Sequence, residues 1–277
     1  MKKIQLIATD LDGTLLNSDL KVSRRNVLAL QRMKEDGCKI VLCTGRPFKG
    51  MEHLIGQLGL NEYDFTVTYN GSLVQTCDGK HVLHQARISP LSFWQVSTFF
   101  KHFGVGVHAM TIDKIYTYNK EISPLTVRES YLGNLHLSVL EDTDRLTVPI
   151  IKLMAVGDPN KIDEALPLFR KIFSQEFSTN KSEAFYLEIM QKGDDKAVAL
   201  QMLLDYLDFD SDKLLAFGNN VNDLAMLNLA GIGVAVSNAV SELKESSDYV
   251  TASNDDDGVA QFLEKYFIKS RKGKMLT

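Results

Sequence analysis

The sequence predicts an α/β protein, a Rossmann-like parallel sheet core with helices on both faces, into which an α+β module is inserted. Three observations carry that expectation. Short apolar runs alternate with amphipathic helical stretches over residues 1–75, the rhythm of a parallel sheet. The same alternation returns near the end of the chain. Between the two, strands come in hairpin-like pairs with their helices set apart. The core is expected at 1–82 and 188–277, the inserted module at 83–187.

The elements follow in order. IQLIATD (4–10) reads as a buried strand. Ser23 can cap a helix over about 24–36, with Val27, Leu30 and Met33 on one side and Gly37 ending it. KIVLCTGR (39–46) and DFTVTYNG (64–71) are the second and third strands. In the module, SPLSFWQVSTFFKHFG (89–104) is a helix with Ser89 as cap, Pro90 at its first position and Gly104 as stop. Trp94 and the Phe93, Phe99, Phe100, Phe103 group are read as its buried face. VGVHAM, KIYTY, IIKLMAVG (150–157) and FYLEIM (185–190) are strands, with a helix over 160–173. The core then resumes with a helix over 195–207, strand LLAF (214–217), a helix over 222–229 and strand IGVAV (232–236). Helices near 239–246 and 257–267 close the chain.

Composition narrows the function. With 277 residues, 44% apolar and 24% charged, the chain has the balance of a soluble globular protein large enough for two domains. A net charge of −4 argues against a nucleic-acid partner, and the one basic cluster, KSRKGK at 269–274, reads as a solvated terminus. Cys38, Cys43 and Cys77 form no CxxC pair, so reduced, mostly buried thiols are expected rather than a disulfide framework or zinc site. The first apolar run breaks at Asp10, too soon for a signal peptide, and no stretch approaches the length of a membrane span. A cytoplasmic location with no membrane partner is the expectation; oligomeric state is left open.

Four polar motifs sit beside buried elements of one sheet. Asp10-Leu11-Asp12-Gly13-Thr14-Leu15 leaves the first strand, at the carboxyl edge where open α/β sheets place ligands. Of two carboxylates splayed by a turn, one can attack phosphorus and the other can hand a proton to the leaving oxygen. Thr44-Gly45-Arg46 offers a hydroxyl and main-chain N–H groups at the next strand end, suiting a phosphate, although a plain Thr-Gly turn reads the same. Lys196 stands in the first turn of a helix, where the dipole favours anions, so it is expected to neutralise a carboxylate-phosphate cluster. GNNVND (218–223) brings Asp223 to a fourth strand-end loop. Here a cation would want carboxylates, yet the residue after the glycine is Asn219.

The ordered set DxDGTL, TGR, Lys, GxxxND resembles the haloacid dehalogenase-like hydrolases, and the resemblance runs over essentially the whole chain. It is closest to Cof-type members with a large α+β cap, in the sugar-phosphatase branch. TYNGSLVQ (68–75), HAM…IYTYNKEIS…VRES (108–130) and FLEKY (262–266) add to the likeness. It implies Asp10 as nucleophile and Asp12 as acid and base. Phosphate would be bound by Thr44, Gly45, Lys196, Asn222 and the main-chain N–H of Leu11. Mg2+ would be held by the Asp10 carboxylate, the Asp12 carbonyl oxygen and Asn219, with Asp223 close by. The cap would close over a small phosphorylated metabolite, a sugar phosphate by the branch. Arg46, Arg128 and Glu129 could reach that substrate, as could His108, surface placement being the alternative; no histidine is given a metal role. Two positions depart from the pattern: Ala197 replaces a glycine, and Asn219 replaces an aspartate, which removes one negative charge beside the metal. A phospho-ligand-binding regulator and a phosphomutase are the competing readings.

Overall fold

The computed structural model describes residues 3–141 and 146–268; the basic tail at 269–274 lies outside them. Along the chain come β1 (Leu6–Asp10), α1 (Arg24–Glu35), β2 (Lys39–Cys43), α2 (Phe48–Leu58), β3 (Phe65–Thr68), β4 (Leu73–Thr76) and β5 (Val82–Gln85). Next are α3 (Pro90–Lys101), β6 (Gly106–Met110), β7 (Lys114–Thr117), α4 (Pro124–Gly133), β8 (His136–Val139) and β9 (Lys152–Val156). They are followed by α5 (Pro159–Phe173), β10 (Phe177–Glu183) and β11 (Tyr186–Gln191). The last third holds α6 (Lys196–Leu207), β12 (Leu214–Gly218), α7 (Leu224–Leu229), β13 (Ile232–Val236), α8 (Ser241–Ser246), β14 (Tyr249–Thr251) and α9 (Gly258–Tyr266). None of these helices is long and apolar enough to cross a membrane.

The described residues divide into two compact units, one within 1–44, 53–83 and 195–277, the other within 45–52 and 84–194. An eight-stranded sheet in the order β14-β13-β12-β1-β2-β3-β4-β5 organises the first. It is parallel from β14 to β3, and β4 returns antiparallel to β3. β1 lies at its centre, Leu6 being in register with Leu214 on one side and Lys39 on the other. β1 and β12 are buried along their whole length, as strands with both faces covered must be, and this is why they read as unbroken apolar runs. Ser23 caps α1 by accepting from the Asn26 N–H, and Ala29, Leu30 and Met33 face inward. The carboxyl ends of β1, β2, β3 and β12 bring Asp10, Thr44, Thr68 and Gly218 to one edge of the sheet.

The second unit is built on a sheet in the order β10-β11-β9-β6-β7-β8, antiparallel except for the β7–β8 pair. Its core faces α3 and α5, with Phe93, Phe100, Phe169 and Phe177 buried among Leu153, Leu187 and Ile189. Trp94 does not join them. It is 48% exposed, because one residue on from Phe93 a helix has turned by about 100° and points away from the sheet. The chain enters and leaves this unit side by side: His84 Nε2 lies 3.3 Å from Asp194 Oδ1, and the Arg87 N–H donates to Gln191 Oε1 at 3.1 Å. His108 is wholly buried on β6, 3.3 Å from Thr126 Oγ1. Burial first, then the Lys152 charge, pull its pKa down to about 3, so it is a neutral core imidazole.

Candidate active site

The turn after β1 is tied down at several points. The Leu11 carbonyl accepts from the N–H groups of Thr14, Leu15 and Leu16 at 3.2, 3.1 and 2.8 Å. Gly13 takes φ +77°, and a Cβ there would collide with the Asn219 amide, so only glycine lets Asn219 lie against the turn. Asn238 Nδ2 donates to the Gly13 carbonyl at 2.8 Å, and the Asn219 carbonyl accepts from the Val240 N–H at 3.0 Å. The result sorts the two aspartates: Asp10 is buried beneath the turn and Asp12 is exposed above it.

Lys196, the first residue of α6, reaches back under β1. Its Nζ donates to Asp10 Oδ1 at 2.7 Å and to Asp223 Oδ1 at 2.6 Å. The side chains of Lys196 and Asp223 are 1% and 0% exposed, and that of Asp10 is 8%. Asp223 Oδ2 accepts from the N–H groups of Asn219 and Asn220 at 2.9 and 3.1 Å, so this one carboxylate both faces the lysine and shapes the loop after β12. Burial pulls the lysine down, but the charges of Asp10 and Asp223 and their hydrogen bonds outweigh it and hold the ammonium above its usual range. Asp10 is pushed up to about 7, first by burial and then by Asp223, against the pull of Lys196; Asp12 adds to the rise. One lysine therefore leaves an excess of negative charge at the end of β1.

At the next strand end, Thr44 is buried and its N–H donates to the Val67 carbonyl at 2.8 Å. Its carbonyl accepts from the Asn70 N–H at 2.9 Å. The expected strand over 64–71 stops at Thr68, because Tyr69, Asn70 and Gly71 all take positive φ, at 52°, 55° and 109°. Asn70 is buried, and its Oδ1 accepts from Asn222 Nδ2 at 3.1 Å, while Asn222 itself is exposed. Asn70 carries no metal-ligand or nucleophile signature; its one mark in the sequence is the run Tyr-Asn-Gly after a strand.

The structure thus brings Asp10, Leu11, Asp12, Thr44, Lys196, Asn219, Asn222 and Asp223 to one edge of the first sheet. The other candidates belong to the second unit. The Gly45 carbonyl accepts from Lys152 Nζ at 3.4 Å, and that lysine also donates to Glu188 Oε1 at 3.1 Å. Arg46 is half-buried. Arg128 on α4 pairs with Glu183 at 2.9 Å and lies over the Tyr186 ring at 5.6 Å. Glu129 is half-buried, and burial raises its carboxyl above the usual range.

Could these residues hold a cation? Among the described residues no group of three or more His, Cys, Asp or Glu is placed to bind a metal. Two carboxylates, a main-chain carbonyl and the Asn219 amide remain, an all-oxygen set beside uncompensated negative charge. That is the donor chemistry of a hard divalent cation, and the residues fit one.

A parallel sheet with a buried aspartate–lysine–aspartate group at its carboxyl edge, and a second α+β unit, defines an α/β protein with a polar site at the end of its central strand. The chain belongs to the haloacid dehalogenase-like hydrolase family, whose profile matches residues 7–263, and it is a phosphatase of that family. It is 34% identical over 266 residues to the candidate phosphatase M6_Spy0533 of Streptococcus pyogenes, covering 96% of this chain and 99% of that one. It is 30% identical over 283 residues to the 5-amino-6-(5-phospho-D-ribitylamino)uracil phosphatase YitU of Bacillus subtilis, with 96% and 98% covered. A solved haloacid dehalogenase-like hydrolase from Bacteroides thetaiotaomicron superposes with a TM-score of 0.88 at 31% identity, covering 96% of this chain and all of the other.

Proposed function

We propose that the protein hydrolyses small metabolites bearing a phosphate on a sugar or polyol chain, through an aspartyl-phosphate on Asp10. The observation that carries this reading is the buried contact of Asp10 with Lys196, itself backed by Asp223. A carboxylate held by one lysine at the end of the central strand supports the reading as a nucleophile over that of a solvated turn residue.

In the first half-reaction Asp10 attacks phosphorus, the ester P–O bond breaks, and Asp12 gives its proton to the leaving alkoxide. In the second, Asp12 takes a proton from water, whose oxygen attacks the phosphorus and releases phosphate with the Asp10 carboxylate restored. Thr44, Gly45, Lys196, Asn222 and the Leu11 N–H hold the phosphate oxygens. The exposure of Asp12 supports its role, since the leaving group must be reached from the open side. Mg2+ would be held by the Asp10 carboxylate, the Asp12 carbonyl and the Asn219 amide oxygen, with Asp223 lending charge nearby. When bound, it offsets the repulsion between an anionic nucleophile and an anionic substrate. Arg46, Arg128 and Glu129 are the residues proposed to select the substrate. The relative YitU is named for a phosphate carried on a ribityl chain, which favours a sugar-like leaving group here.

The test is phosphate release from phosphorylated sugars, polyols and nucleotides and from p-nitrophenyl phosphate, with and without Mg2+, for the natural protein and Asp10→Asn. The variant keeps the shape and loses the attacking group, so turnover should fall by orders of magnitude. Near-normal release by Asp10→Asn would refute the mechanism. Faster turnover of nucleotides than of any sugar or polyol phosphate would refute the substrate class.

A further inference from the structure

The turn Tyr69-Asn70-Gly71 touches three of the proposed phosphate-handling segments, and nothing in the reaction as written uses it. Three consecutive residues with positive φ are rare. For a buried tyrosine such a φ is a real outlier, because its Cβ crowds the neighbouring carbonyl. Strain of this kind persists only where the surroundings over-determine it.

The surroundings here are specific. The Asn70 N–H donates to the Thr44 carbonyl at 2.9 Å, and the Thr44 N–H donates to the Val67 carbonyl at 2.8 Å. Thr44 is therefore held at both main-chain groups by the segment that ends in the turn. A Cβ on Gly71 would collide with the Asp195 carbonyl, so the turn lies flush against the residue that caps α6 and precedes Lys196. The Asn70 side chain completes the set: Oδ1 accepts from Asn222 Nδ2 at 3.1 Å. Asn222 precedes Asp223, the second partner of Lys196. Asparagine suits position 70 on both counts. It tolerates the left-handed conformation better than other residues with a side chain, and it carries an acceptor of the right length.

We infer that Asn70 is a positioning residue for phosphate binding, fixing the Asn222 amide so that its second N–H faces the phosphate while its own main chain fixes Thr44. An amide rotates freely about its terminal bond. With one N–H committed to Asn70 Oδ1, the nitrogen end faces Asn70 and the remaining N–H keeps one direction. The inference rests on the proposed role of Asn222 and adds to it how that residue is oriented.

The experiment uses Asn70→Gly, which keeps a backbone suited to positive φ and removes only the amide. KM for p-nitrophenyl phosphate and the inhibition constant of inorganic phosphate should each rise about tenfold, the worth of one hydrogen bond, with kcat nearly unchanged. Because Asn70 acts through Asn222, the double variant Asn70→Gly/Asn222→Ala should bind phosphate no more weakly than Asn222→Ala alone. A lowered melting temperature with unchanged KM and phosphate inhibition would make Asn70 a folding residue only and overturn the proposal. Additive losses in the double variant would overturn it too. Should Asn222→Ala itself bind phosphate normally, the assignment of Asn222 falls and the proposal with it. A weakened Asn222→Ala beside a normal Asn70→Gly overturns the proposal alone.

Discussion

Replacing Lys196 by methionine removes one positive charge from between two buried carboxylates and leaves the volume nearly filled. Asp10 Oδ1 and Asp223 Oδ1 then lose partners at 2.7 and 2.6 Å, in a place largely shut off from water. Breaking a buried ion pair from one side costs about 3–5 kcal/mol, because the charge left behind stays desolvated. The upper end is capped, since Asp10, already pushed up to about 7, takes a proton once the lysine is gone. Urea unfolding without metal, followed by circular dichroism at pH 7.5 and 5, should show the deficit. The Asp10 carboxyl of the folded variant titrates above its unfolded value. The penalty is therefore greater at pH 7.5 than at pH 5, shrinking as pH falls from that raised pKa toward the unfolded one. A deficit below about 1 kcal/mol, or one that is equal at both pH values, would refute the reasoning, because a surface-like ion pair is worth that little and does not titrate this way.

Three further outcomes are expected. Asn219→Asp puts a carboxylate against the Gly13 turn, so the Mg2+ concentration for half-maximal rate should fall about tenfold to hundredfold, the equivalent of about 1–3 kcal/mol, while the metal-free protein loses stability; identical Mg2+ titrations would remove Asn219 from the ligand set. Asp12→Asn should slow hydrolysis of sugar phosphates far more than that of p-nitrophenyl phosphate, whose leaving group needs little protonation, and equal losses would deny Asp12 the acid role. The unfolded chain takes a proton on His108 below pH 6.5 that the folded one refuses until about pH 3, so stability falls across that window, by about 2 kcal/mol at pH 5; His108→Gln should flatten the acid limb of the stability profile, and an unchanged limb would show that His108 is already charged.

The sequence discloses most readily what a single physical requirement dictates. Strands covered on both faces must be apolar throughout, so β1, β12 and β13 stand out, and the polar residues that end them stand out in turn. Helices α1 and α3 announce themselves by Ser23 and by Ser89-Pro90. Helix α2 is not delimited in advance, because Gly50 and Gly56 weaken its pattern. Strand β10, FSTNKSE, has no apolar alternation: it lies at the sheet edge and is held mostly by main-chain hydrogen bonds to β11. Asp10, Asp12 and Lys196 are legible because their chemistry is conspicuous. Asn70 is not, since its value lies in a backbone conformation that the run Tyr-Asn-Gly only hints at and in one neighbour that no residue type betrays. Asp223 has a second duty as the anchor of two loop N–H groups, which likewise emerges only from geometry.

The adjacent entry and exit of the second unit, marked by His84 beside Asp194 and Arg87 beside Gln191, bear on how such a chain can change over descent. An insert whose two ends already meet can be lengthened, shortened or exchanged without stretching the host. The ladder that holds Asp10, Thr44 and Gly218 at one edge is formed by strands on either side of the insert, and its register does not depend on what the insert contains. Changes within the insert therefore need not disturb the edge at which Asp10, Thr44 and Gly218 meet.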